Sequence, residues 1–352
     1  MKITFFVGEF NGGGAERVIS ILANKLVEKD FDVEILKYHN TENAYKTDKR
    51  INITSVEENT NTRSNLFKNV LWMHKYFKNT NTIISFLAPF NIIAIIANLG
   101  NKTPIIVSDR NNPNKVPNNK VVRTIRNFLY RKTDKVVVQT NESKGYFSYL
   151  KDKCIVIPNP IDMKEYAGIA LKIKKENKIV SVGRLEKQKN QLLLIDAFND
   201  IKDKYKDFNL YIYGEGSHRI ELENRIAQLN LKDRVFLPGN SNKVFEDIKD
   251  AKLFVLTSNY EGMPNALAEA MCLGIPSIST NVSGVKDLIE DGQNGYIINV
   301  NDKDALINRM QIILNDVKLS EDFSTKSVQL NDKLNVDTIS NTWCELIKQI
   351  NM

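Results

Sequence analysis

The residues best suited to chemistry fall in one stretch of the second half, Tyr260-Glu261-Gly262-Met263-Pro264-Asn265-Ala266-Leu267-Ala268-Glu269-Ala270-Met271. Seven residues separate Glu261 from Glu269. The apolar run before them predicts a strand, the Gly/Pro pair a loop, and the following residues a helix. Glu261 then stands in the loop and Glu269 one turn into the helix. Both carboxylates are aimed beside a helix N-terminus, where unpaired N–H groups and the dipole attract phosphate. Such a place can hold a diphosphate and the sugars attached to it. Earlier in the chain, Ser181-Val182-Gly183-Arg184-Leu185-Glu186-Lys187-Gln188-Lys189-Asn190 joins an apolar run to a helical pattern. Arg184 as a fork and Lys189 as a point charge both reach a diphosphate across that turn. A solvated pair on a Lys-rich loop would look the same by charge alone.

Elements that position these groups are legible as short β-branched or aromatic runs at 3–7, 33–38, 82–86, 105–108 and 136–139, then 179–182, 210–213, 235–237, 253–257 and 276–279. Longer helical patterns separate them, the signature of an α/β chain with parallel sheets covered on both faces. Two such series in 352 residues predict two doubly wound domains. Pro158-Asn159-Pro160 lacks two amide donors and disfavours helix, as a hinge would, which places the boundaries at 1–160 and 161–336 with a last helix over 337–352. Residues 41–61 and 111–119 are polar and Asn-rich and read as loops. The apolar run 83–99 contains Ser85, Pro89 and Asn91 and is shorter than the ~20 residues of a spanning helix, so it reads as strand, turn and buried helix.

Four segments in order, residues 1–18, Val156-Ile157-Pro158-Asn159-Pro160-Ile161-Asp162, the turn around Arg184, and the stretch from Tyr260 to Asp291-Gly292-Gln293-Asn294-Gly295-Tyr296, resemble the retaining glycosyltransferases of family 4 with their E-x7-E signature. That resemblance implies the GT-B fold, two Rossmann-like domains facing a central cleft. The first would be acceptor-side and the second would bind a nucleotide-sugar, with the last helix crossing back. It also implies roles. Arg184 and Lys189 neutralise the departing diphosphate, and Glu261 touches the donor sugar's hydroxyls. Amides across Gly262, Met263, Pro264, Asn265, Ala266 and Leu267 meet the phosphates, and Glu269 holds the ribose. Gly13 and Gly14 allow close approach to the donor; Gly214, Leu237 and Pro238 border the base. Where many members carry a histidine on the acceptor side, this chain reads Ser108-Asp109-Arg110-Asn111-Asn112-Pro113, so Asp109, Arg110 and Asn111, with Glu16, are expected there. The family's usual glycine after the lysine is Asn190. The implied activity moves a hexose or N-acetylhexosamine from a UDP-sugar to a lipid-linked saccharide in cell-surface polysaccharide or glycan synthesis, with no cofactor and no metal.

Rival readings are an NAD-dependent oxidoreductase and a non-catalytic two-domain sugar-binding protein. Gly12-Gly13-Gly14-Ala15-Glu16-Arg17 has arginine where a dinucleotide fingerprint needs its last glycine, though Glu34 in the second strand keeps that reading open. Asp30-Phe31-Asp32 and Asp302-Lys303-Asp304 fit a metal-binding D-x-D pattern but fall at a helix-to-strand turn and a helix start; His39, His74 and His218 share no ligand spacing. Cys154, Cys272 and Cys344 lack CxxC spacing, which argues against a disulfide framework or zinc. The start reads as a strand rather than a signal peptide, predicting a cytoplasmic protein. Lys and Arg outnumber Asp and Glu by 24 to 14 in residues 1–160, against 25 to 28 thereafter, within a net +7. On a helix over 64–78, Leu66, Val70, Met73 and Phe77 form an expected core stripe, while Lys68, Trp72, Lys75 and Tyr76 face outward. With Arg123, Arg126, Arg131 and Lys132 of 120–132, they predict peripheral docking on the anionic inner face of the cell membrane, or else a solvated basic face. Nucleic acid is not expected, since no recognised module accompanies the charge.

Overall fold

A computed structural model describes the chain apart from Gly12, Arg63, Ser64, Glu165, Ala167, Gly168 and Ile169, so the first glycine of the N-terminal turn and the first residue of the helix read over 64–78 lie outside the described residues. The chain divides into two compact units, Met1–Pro160 with Leu334–Met352, and Ile161–Lys333.

In the first unit the elements run β1 Lys2–Val7, α1 Gly14–Glu28, β2 Asp32–Lys37, β3 Asn52–Ser55, α2 Val56–Thr60, α3 Leu66–Tyr76, β4 Thr82–Phe86, α4 Ala88–Asn98, β5 Ile105–Asp109, α5 Lys120–Tyr130, β6 Lys135–Val138, α6 Asn141–Tyr146 and β7 Cys154–Val156. The strands form one parallel sheet in the order β3-β2-β1-β4-β5-β6-β7. Every residue of β4 and β5 is buried, as a sheet covered on both faces requires. Segment 41–61 is not all loop: β3 and α2 lie in it, because Ile53 packs against the core and Ser55 caps α2 by accepting from the Glu58 N–H.

The second unit contains β8 Glu176–Val182, α7 Gln191–Ile201, β9 Asn209–Tyr213, α8 Arg219–Gln228, β10 Val235–Gly239, α9 Val244–Ile248, β11 Ala251–Leu256, α10 Asn265–Cys272, β12 Ser277–Thr280, β13 Tyr296–Ile298, α11 Lys303–Asn315, α12 Val317–Ser327 and α13 Leu330–Leu334. Its parallel order is β10-β9-β8-β11-β12-β13. In both sheets the order reverses once, between β1 and β4 and between β8 and β11. Ligands of open α/β sheets bind beyond the strand carboxyl ends at such reversals. The last helix, α14 Val336–Ile350, packs in the first unit. Its Ile339, Trp343, Leu346 and Ile347 join Phe5, Leu22 and Phe86 in one buried cluster.

Candidate active site

In the second unit, the turn after β8 and the loop after β11 are stitched together across the reversal point. The Asn259 N–H donates to the Gln188 carbonyl (2.8 Å), Asn259 Nδ2 to the Lys187 carbonyl (2.9 Å), and Gln188 Nε2 to the Tyr260 carbonyl (2.9 Å). Thr257 Oγ1 donates to the carbonyls of Lys189 and Asn190, both at 3.0 Å. This lacing places Lys189 Nζ 2.5 Å from Glu261 Oε1, which also accepts from Ser258 Oγ at 2.6 Å. The Lys189 and Glu261 side chains are 18% and 7% exposed. Lys189 is therefore held by a carboxylate, whereas Arg184 is exposed and forms no ion pair among the described residues. Asn190 explains its own departure from the family pattern. It sits in the left-handed region (φ 49°, ψ 44°) where a glycine is easiest and asparagine is the next most tolerant residue.

Helix α10 begins after Pro264, whose side chain makes no cap hydrogen bond, and its N-terminus follows directly on the loop carrying Glu261. Leu267, Met263 and Pro264 are buried, Gly262, Asn265 and Ala266 partly so, and Glu269 is buried one turn into the helix. The glycines after β9 do something the sequence did not reveal. Gly214 has φ +140°, and a Cβ there would collide with the Gly183 carbonyl; one on Gly216 would strike the Leu185 carbonyl. The β9 loop is thus pressed against the backbone that presents Arg184. Pro238 is exposed, and the Leu237 carbonyl accepts from Arg219 Nη2 at 3.0 Å.

Beyond β1 in the first unit, the N-terminus of α1 is already occupied. Glu16 folds back over Gly13 and accepts from the backbone N–H groups of Gly13 and Glu16, leaving Gly14 exposed. Burial, then the nearby Glu9 charge, push its carboxyl up despite those bonds. Glu16, expected on the acceptor side, thus lies over the first turn of α1. Asp109 and Arg110, expected on the acceptor side, are both buried. Asp109 accepts from Tyr130 Oη (3.1 Å) and lies 3.6 Å from Arg126, with burial raising its pKa against that attraction. Arg110 donates to Ser108 Oγ (2.6 Å) and Asn159 Oδ1 (2.7 Å) while its guanidinium stacks 5.0 Å from Phe86 and 5.9 Å from Trp343; burial pulls it down to about 9. It ties the end of β5 to residue 159 and to α14. Asn111 remains half-buried. A pair the motifs missed stands at the carboxyl end of β2: His39 Nδ1 lies 2.7 Å from Glu57 Oε1, beside Phe90.

Two family models match the chain, "Glycosyltransferase Family 4" over residues 12–165 and "Glycosyl transferases group 1" over 162–329. The chain belongs to the family-4-type glycosyltransferases. It is 29% identical, over 99% of both chains, to a Campylobacter jejuni α-1,4-N-acetyl-D-galactosaminyltransferase named for a GalNAc-GalNAc-diNAcBac-PP-undecaprenol acceptor. It is 33% identical to the Escherichia coli UDP-Gal:α-D-GlcNAc-diphosphoundecaprenol α-1,3-galactosyltransferase, over 48% of this chain and 47% of the other. Anabaena HepE, solved in complex with UDP and glucose, superposes with a TM-score of 0.84 at 18% identity over 99% of both chains, which shows the GT-B fold.

This glycosyltransferase leaves little for a dinucleotide to bind. Glu34 is buried within β2, accepting from Thr4 Oγ1 (2.5 Å) and pairing with Lys2 (2.9 Å), and the Glu16 carboxylate covers the helix N-terminus a pyrophosphate would need. Among the described residues no three His, Cys, Asp or Glu side chains converge as metal ligands, and no helix is long and apolar enough to cross a membrane. The three cysteines are free and buried. A cavity of about 540 Å³ lies at the opposite, amino end of the second sheet, where Lys175, Lys252 and Pro276 line it.

Proposed function

We propose that the enzyme transfers a hexose or N-acetylhexosamine from a UDP-sugar to a lipid-linked saccharide in cell-surface glycan synthesis, with retention and without metal. It would act from the cytoplasmic side, peripherally at the membrane. The observation that carries this is the stitched constellation at the β8/β11 reversal: exposed Arg184, Lys189 paired with Glu261, and the N-terminus of α10 that follows the Glu261 loop. The acceptors and UDP in the names of similar proteins support the substrate class.

In this reading the diphosphate lies against the first N–H groups of α10, and Arg184 and Lys189 meet its charge as it departs. Glu261 gives one oxygen to Lys189 and Ser258 and keeps the other for a sugar hydroxyl, while Glu269 accepts from the ribose. Lys189, lying between carboxylate and diphosphate, also reduces their mutual repulsion. The acceptor hydroxyl attacks the anomeric carbon on the face the diphosphate leaves. The carbon–phosphate-oxygen bond breaks, the new glycosidic bond forms, and a leaving phosphate oxygen takes the proton. Calorimetry with UDP in a chelator tests the donor site: binding should persist, be weakened by Glu269→Ala, and be largely kept by Glu261→Ala while turnover falls. UDP binding that appears only with manganese would refute the metal-free site.

A further inference from the structure

Helices α3, α4 and α5 cover one face of the first unit's sheet, sharing a buried cluster that includes Met73, Ile95 and Tyr130. Their outward sides are not those of an ordinary solvated layer. On α5, Val121, Ile125 and Phe128 recur at helical spacing and are 65%, 45% and 60% exposed. Phe67 and Leu71 of α3, at 74% and 48%, and Ile96 of α4 continue the apolar surface. Charge around it has one sign. Between Glu58 and Asp134 the chain carries twelve Lys and Arg and one acidic residue, Asp109, which is buried. Exposed lysines at 68, 75, 78, 102, 115, 120 and 132, with Arg131, sit among or beside these helices. The basic surplus of the first half is therefore concentrated on this layer.

The structure also revises which groups face outward. Arg126 is fully buried, donating to the Val116 carbonyl (2.7 Å) and the Pro113 carbonyl (3.1 Å). Trp72 and Tyr76 stack at 4.7 Å, half-buried against the inner cluster, and Tyr76 reaches Glu34. Leu66 is exposed, its expected core place taken by Asn69, which donates to Tyr38 Oη at 3.2 Å and accepts from Thr60 Oγ1 at 2.7 Å.

We propose that the outer surface of α3, α4 and α5 docks on an anionic lipid bilayer, with Val121, Ile125 and Phe128 entering the headgroup region and the surrounding lysines paired with lipid phosphates. This deepens the reading of a lipid-linked acceptor and rests on it. An apolar stripe framed by cations fits the boundary of an anionic leaflet, where both burial and charge contribute. A second copy fits poorly, since two such faces would oppose cations to cations. A phosphodiester backbone would meet the cations but leave the apolar stripe without a partner.

Sedimentation of the full chain with vesicles, in the absence of donor and acceptor, tests this. With about 30% phosphatidylglycerol in phosphatidylcholine at low salt the protein should pellet, and about 1 M NaCl should release it. Ile125→Asp with Phe128→Asp, at exposed positions that leave the core intact, should weaken pelleting about tenfold while UDP affinity and Tm stay at wild-type values. Lys120→Glu with Lys132→Glu should do the same. Equal pelleting with neutral vesicles, undiminished pelleting of the variants, or a wild-type dimer that the Asp pair splits would each overturn the proposal. Transfer to a water-soluble acceptor without vesicle binding sinks docking alone; vesicle binding without any turnover of UDP-sugars upholds docking and sinks the functional reading.

Discussion

Replacing Lys189 by Met removes the cation 2.5 Å from Glu261 Oε1 and leaves a nearly buried carboxylate with only the Ser258 hydroxyl. Stripping one partner from a buried pair costs about 3–5 kcal/mol; Lys189 retains some solvent contact, so about 3 kcal/mol is expected. In a domain the size of Ile161–Lys333, that lowers Tm by roughly 6–12 °C. Adding Glu261→Gln neutralises the stranded charge and should recover about 2 kcal/mol, so the double variant is more stable than the sum of the singles. Turnover should behave differently: Lys189→Met lowers kcat by about a hundredfold or more, and Glu261→Gln restores none of it, because the diphosphate still lacks its cation. Calorimetric scans of the four proteins, with steady-state kinetics on each, separate the two effects. Additive losses in Tm would show that the pair is not coupled in the fold, and full turnover in Lys189→Met would place the diphosphate elsewhere.

Gly214→Ala should shift the Arg184 turn and cost about 1–3 kcal/mol, since φ +140° and the Gly183 carbonyl both exclude a Cβ; wild-type UDP affinity and Tm would refute the close approach. Burial lowers Lys175 to about 8, so the unfolded chain holds the extra proton between about pH 8 and 10.4 and stability rises with pH across that window. Lys175→Met should therefore be more stable than wild type at pH 7, by about 1–2 kcal/mol after losing the bond to the Lys249 carbonyl, with the gap closing near pH 10; urea midpoints that differ equally at both pH values would contradict this. Trp343→Ala empties a buried site against Phe86 and should cost about 3–5 kcal/mol in urea unfolding, a loss under 1 kcal/mol being incompatible with the packing.

The central strands were legible because burial on both faces makes them continuous apolar runs, as in Thr82–Phe86. Those missed, Asn52–Ser55, Cys154–Val156 and Tyr296–Ile298, are short and lie at sheet edges, where half-exposed residues break the pattern. Motif segments could be seen one at a time, but not their contacts: Lys189 and Glu261 are 72 positions apart, and Arg110 and Asn159 are 49 apart. Nor does periodicity carry information on Arg110 as a cation sandwiched between Phe86 and Trp343. In the other direction, Leu66 fitted a helical core stripe by spacing, yet Asn69 won the buried place by satisfying its amide with Thr60 and Tyr38.

Trp343 and its neighbours on α14 complete a core whose other members come from the first half of the chain. During synthesis the first unit's sheet emerges early but must wait, with Phe5, Leu22 and Phe86 uncovered on one side, until nearly two hundred further residues have been made. At about 5–20 residues per second that interval lasts roughly ten seconds or more, long enough for the second unit, contiguous in sequence, to fold first. A ribosome that stops before α14 releases a chain with an open apolar face, so premature termination even close to the end yields a target for chaperones and proteases rather than a partly working enzyme.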